Sequence, residues 1–89
     1  MLGELISKRR RQLGITQAKI SSLLGYSNGQ FISNIERGSS DMPKHQLKKM
    51  CRILLLDQHL VYDVMMSEYA KVVAKSLGLK QKEINNGTN

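Results

Sequence analysis

Residues 25–38 read GYSNGQFISNIERG, with three large apolar residues set among amide, hydroxyl and glycine positions, closing on two adjacent charged residues and a further glycine. Phe31, Ile32 and Ile35 fall on one side of a helix, and Gln30, Ser33, Asn34 and Arg37 follow one another at i, i+3, i+4 and i+7 along another. Ser27 with Gln30 three residues later has the spacing of a capping box, in which serine accepts from the helix backbone and glutamine reaches back. Gly38 ends the helix. This is a helix with an apolar back and an uncharged, hydrogen-bonding front.

Outward from it, the chain keeps helical spacing. Upstream, Thr16 caps a helix of about two turns whose apolar face is Ile20, Leu23 and Leu24, with Gly25 at the terminating position. A helix so short needs tertiary packing to persist. Before it, Leu2, Leu5, Ile6 and Leu13 define a first helix ending near Gly14. Downstream, after a Ser-Ser-Asp-Met loop, Pro43 suits an early helical position, and Leu47, Met50, Cys51 and Leu54 line a fourth helix. A fifth is expected from about Asp57 to Leu77. Residues 78–89 are polar and expected to form a disordered tail.

At 89 residues the chain is one domain, because so short a sequence buries only roughly 60–68% of its unfolded surface. Fourteen Lys and Arg against seven Asp and Glu give a formal charge of +7, which favours a polyanionic partner. Cys51 is the only cysteine, so neither an internal disulfide nor a cysteine zinc site can form, and a cytoplasmic setting is expected. Apolar runs are too short for a membrane span or a signal core. His45 and His59 stand apart from one another and from any carboxylate pair. No metal, cofactor or catalytic constellation is therefore expected. The composition and periodicity predict an all-α fold.

Two short helices joined by Gly25, Tyr26 and Ser27 in a basic domain make a candidate helix-turn-helix, whose second helix can enter the major groove of DNA. Base edges are read by side chains that donate and accept, as Gln and Asn do to adenine and Ser does to several bases. Gln30 and Asn34 are the expected readers, with Asn28 and Ser33 at the margin; the alternative is an ordinary solvated helix face. Arg37 and Lys44 flank the loop after this helix and suit phosphate contact. Ser27, in the turn, is placed with them.

Residues 2 to about 56 resemble the phage-repressor type of helix-turn-helix domain, the Cro/repressor or XRE family. The resemblance rests on RRRQLGITQ, AKISSLLGYS, FISNIERG and Pro43 followed by LKKMCRIL. It implies a five-helix lambda-repressor-like DNA-binding fold, here with a long C-terminal helix. It also implies base contacts at Asn28, Gln30 and Asn34, phosphate contacts at Thr16 and Gln17, and Lys44 near the minor groove. A phage or mobile-element origin belongs to the same implication. Two positions depart from the family's pattern: one extra residue lies between Gly25 and Glu36, and Ser21 stands where alanine is usual. A serine there is expected to bond a preceding backbone carbonyl.

The run Lys8, Arg9, Arg10, Arg11 is either a phosphate-binding cluster or a solvated helix end where cations complement the dipole. Arg9 and Arg10 both lie on or beside the apolar stripe, so at least one needs a carboxylate, and Glu36 is the natural partner. Spacing leaves the two arginines open; the resemblance selects Arg10. In the last helix Val61, Tyr62, Met65, Met66, Tyr69, Val72, Val73 and Leu77 cover about half the circumference. One edge is expected to pack on the chain's own core and another on a second copy, giving a homodimer. The alternative is a monomer whose long helix wraps its core. The functional expectation is a dimeric repressor binding a near-palindromic double-stranded DNA operator. A protein-interaction module, such as an antitoxin or bridging factor using the last helix, is the rival.

Overall fold

The computed structural model describes residues 2–80 and is all-helical across them. Five α-helices follow in order: α1 Leu2–Gln12, α2 Gln17–Leu23, α3 Gln30–Glu36, α4 Leu47–Leu54 and α5 Gln58–Ser76, with a 3-10 turn at Lys44–Gln46 ahead of α4. The fold class and the order of helices agree with the sequence reading. The expected tail begins at Gly78, and residues 81–89 of it lie outside the described residues.

Local signals set most boundaries. Thr16 accepts from the Lys19 backbone N–H through its hydroxyl oxygen at 3.0 Å, satisfying one of the free donors at the start of α2. Asp57 does the same for α5, accepting from the His59 N–H at 3.0 Å. Gly14, with φ of +69°, takes the left-handed conformation that lets the last carbonyls of α1 be satisfied by Gly14 and Ile15 N–H groups.

The core gathers Leu2 and Ile6 from α1, Ile20 from α2, Leu24 just after it, Ile32 and Ile35 from α3, Met50, Cys51 and Leu54 from α4, and Val61 from α5. Several placements differ from the sequence reading. Leu23 is 40% exposed, and Leu24 beside it, at 3%, carries that end of α2 into the core. Leu13 lies beyond the end of α1 and packs there partly buried. Met42, assigned to a loop, is buried at the core's edge, and Pro43 opens a 3-10 turn rather than an α-helix. Val61 is 4% exposed within its own chain, so it belongs to the core and is no free surface for a second copy.

Helix α1 reaches α3 across Gly3. A Cβ there would press on the Ile35 carbonyl oxygen and sit 2.8 Å from that of Glu36, so only hydrogen fits. Gly3→Ala is expected to lower stability by about 1–3 kcal/mol through overpacking, after offsetting alanine's better helix propensity. Urea unfolding checks this, and a midpoint equal to the parent's would mean that the two helices separate freely. The other end of α1 is fixed by Arg9, whose Nε donates to the Leu54 carbonyl at 2.9 Å, satisfying a free acceptor at the end of α4. Glu68 of α5 accepts from the Leu2 N–H.

Candidate nucleic-acid interface

Helices α2 and α3 form the helix-turn-helix. The turn between them is tied at three places. Tyr26 and Phe31 stack with ring centroids 3.6 Å apart and planes 10° from parallel. Gln46 donates through Nε2 to the Leu24 carbonyl at 2.9 Å and to the Tyr26 hydroxyl at 3.3 Å, joining the turn to the chain ahead of α4. Ser21, fully buried, accepts from the Ile32 backbone N–H at 3.3 Å.

The Ser21 contact corrects the expected bond to a preceding carbonyl. Its hydroxyl oxygen faces forward, across to α3, and satisfies the Ile32 N–H in the first turn of that helix. Gly29, the residue before α3, has no side chain to cap with, and it packs against Ala18, where a Cβ would come within 3.1 Å of the Ala18 nitrogen. The expected Ser27–Gln30 capping box is absent. Asn28 Oδ1 accepts from the Gln30 N–H at 2.9 Å instead, starting the helix with an Asx turn, and the Gln30 amide points on to Asn34. Helix α3 therefore begins two residues later than residue 28, and Asn28 stands in the turn with its carbonyl oxygen already engaged.

Behind α3 lies an ion pair. Arg10 Nε donates to Glu36 Oε2 at 2.7 Å and Nη2 to Oε1 at 3.2 Å, while Nη1 holds the Ile15 carbonyl at 3.0 Å. Gln17 Nε2 adds a bond to Glu36 Oε1 at 2.9 Å, so one carboxylate joins α1, α2 and α3. Burial alone pushes the Glu36 carboxyl up, but the hydrogen bonds from Arg10 and Gln17 and the Arg10 charge outweigh it and hold it below its ordinary range. With Arg9 on the end of α4, two members of the basic run are occupied inside the fold, which corrects the view of that run as a four-residue phosphate cluster. Gln17 spends one amide N–H on the same hub.

In front of α3, the polar row is interconnected. Gln30 Nε2 donates to Asn34 Oδ1 at 2.8 Å, Arg37 Nη2 to the same oxygen at 2.6 Å, and Arg37 Nη1 to the Ser33 hydroxyl oxygen at 3.1 Å. Gln30 and Arg37 are exposed, and Ser33 and Asn34 are half-buried. Thr16, Ser27, Asn28 and Lys44 are exposed as well. The internal bonding of this row was invisible to spacing alone, although its i, i+3 and i, i+4 offsets are those at which helical side chains meet.

Away from this surface, α5 carries apolar residues into solvent: Tyr62 is 63%, Tyr69 66% and Val72 62% exposed. Two shallow grooves of about 470 and 540 Å³ flank it, one against α4 and one against the loop after α3, and Lys44 and Met65 line both. Met65 packs partly on the core, so of the expected interface residues it and Val61 face inward. Burial, together with the Asp57 charge, pushes the Cys51 thiol up and leaves it protonated. Among the described residues no His, Cys, Asp and Glu cluster has a metal-binding arrangement, and no helix is long and apolar enough to cross a membrane.

These features define an all-helical domain built around a helix-turn-helix with a long final helix. Among solved structures, a chain of the SinR protein/SinI protein complex is similar to it, with a TM-score of 0.59, 24% sequence identity, and coverage of 99% of this chain and 91% of that one. The likeness is one of fold. No family model matches the chain, and no curated protein matches it.

Proposed function

We propose that the chain is a sequence-specific double-stranded DNA-binding regulator, acting as a dimeric repressor that occupies a near-palindromic operator. The observation that carries this reading is the front of α3: uncharged amides and a hydroxyl, exposed at Gln30 and half-buried at Ser33 and Asn34, on a helix whose back is locked by Ile32, Ile35 and the Arg10–Glu36–Gln17 hub. Gln30 and Asn34 read base edges, with Ser33 beside them and Asn28 reaching only through its amide nitrogen. Thr16, Gln17, Ser27, Arg37 and Lys44 meet phosphates. A net charge of +7 supplies the long-range attraction, so affinity falls steeply as salt rises.

Dimerisation through the exposed side of α5, with Tyr62, Met66, Tyr69, Val72 and Val73, places two copies of α3 in successive major grooves about 34 Å apart. Gel shifts on operator fragments selected from random DNA test the readers. Gln30→Ala and Asn34→Ala are each expected to lose about 1–3 kcal/mol of discrimination between the preferred base and its replacement. Unchanged preference in either variant removes that residue from the reading surface.

A second reading draws on α5 itself. Its exposed aromatic residues and the flanking grooves also suit a protein partner, with the helix-turn-helix retained as scaffold. A chain that is monomeric at every concentration and has no affinity for DNA at low salt favours this rival.

A further inference from the structure

We infer that Arg37 is a positioning residue that sets the polarity of the two amides beside it, so that α3 is built to read adenine; this rests on the DNA-binding reading above. Guanidinium can donate but never accept. Because Arg37 Nη2 lies 2.6 Å from the Asn34 side chain, the atom facing it must be the amide oxygen. That oxygen also faces Gln30 at 2.8 Å, so Gln30 must present its nitrogen there. One residue with a single possible polarity thus fixes two that otherwise have two orientations each.

The consequence appears on the outer surface. Asn34 Oδ1 accepts twice, so Nδ2 is the atom of that amide left to donate, while Gln30, whose nitrogen faces Asn34, has Oε1 left to accept. A donor beside an acceptor matches the major-groove edge of adenine, whose N7 accepts and whose 6-amino group donates. Guanine presents two acceptors, N7 and O6, and its O6 would oppose the Gln30 oxygen. Arg37, the side chain best suited to guanine, is withheld from that role by its bonds to Ser33 and Asn34.

The test uses the full chain and a duplex carrying the site enriched from random DNA. At the base pair whose preference is lost in Asn34→Ala, adenine is replaced in turn by guanine, by 7-deazaadenine, which lacks the N7 acceptor, and by purine, which lacks the 6-amino donor. The parent is expected to lose roughly tenfold in affinity with each. Asn34→Ala should no longer sense the 7-deaza change, nor Gln30→Ala the missing amine. Arg37→Met, with thermal unfolding run alongside to confirm an intact fold, should bring the adenine-to-guanine ratio below about threefold. Arg37→Lys, which keeps a donor and the charge, should restore most of it. An Arg37→Met variant that binds every duplex more weakly by one common factor would make Arg37 a phosphate contact only and overturn the inference. Guanine as the preferred base would overturn it too while leaving sequence-specific binding standing. Equal affinity for all duplexes would overturn both it and the proposed function.

Discussion

Replacing Glu36 with alanine is expected to remove about 3 kcal/mol or more of unfolding free energy, a large share of the roughly 5–15 kcal/mol typical of a domain. The side chains of Glu36 and Arg10 are only 7% and 14% exposed, so water cannot replace the lost carboxylate. The guanidinium would keep its bond to the Ile15 carbonyl but lose its counter-charge, and the Gln17 amide would lose its acceptor. Replacing both members, Arg10→Met with Glu36→Leu, should cost less than Glu36→Ala alone, because no uncompensated charge stays behind. Urea midpoints of the two variants and the parent measure this. Equal stability of Glu36→Ala and the parent would mean that the hub holds nothing together.

The same carboxylate gives stability a pH dependence of fixed sign. Its folded value is held below the ordinary one, so the unfolded chain binds the proton first as acid is added. The contribution is complete above the unfolded carboxylate value, about pH 4.3, and is lost as pH falls through the folded value. Melting temperatures recorded from pH 7 to pH 3 should drop more steeply below that point in the parent than in Glu36→Ala.

Charging the exposed side of α5 is expected to have the largest effect on function. Met66 and Tyr69 are 45% and 66% exposed, so glutamate at both positions should leave the fold near its parent stability. It would place four like charges in the proposed interface of two copies. A dimer gains from its second half-site because that binding event is intramolecular, and its loss is expected to cost roughly 10²- to 10⁴-fold in operator affinity. Sedimentation should show a monomer. A variant that remains dimeric with unchanged affinity would place the interface elsewhere and return α5 to the protein-partner reading.

What could be seen in the sequence was what short-range chemistry decides. Thr16 is a cap whose donor, the Lys19 N–H, lies three residues away, and the stripes of α3 and α4 follow from spacing, so the five helices were legible. The polar row Gln30, Ser33, Asn34 and Arg37 was legible for the same reason. Long-range choices were not. Ser21 caps a helix eleven positions onward, a role that its position in α2 gives no hint of. Arg9 and Arg10 share one stripe yet find partners in different helices, α4 and α3. Gly3 is demanded by carbonyls that come near only once α1 crosses α3. The end of α4 carries no glycine; Leu55 takes the left-handed conformation there, with φ of +53°, against the ordinary preference of a residue with a Cβ. The start of α3 departs from the expected Ser27 box because the adjacent Asn28 side chain takes the Gln30 N–H.

The front of α3 is tested most directly by enrichment from random duplex DNA at low salt, run in parallel with the parent and with Gln30→Ala/Asn34→Ala. The parent should yield a two-fold symmetric consensus with half-sites about one helical turn apart, and the double variant should lose base preference within each half-site. A pool that never departs from its starting composition, or the same consensus from both proteins, would contradict the account.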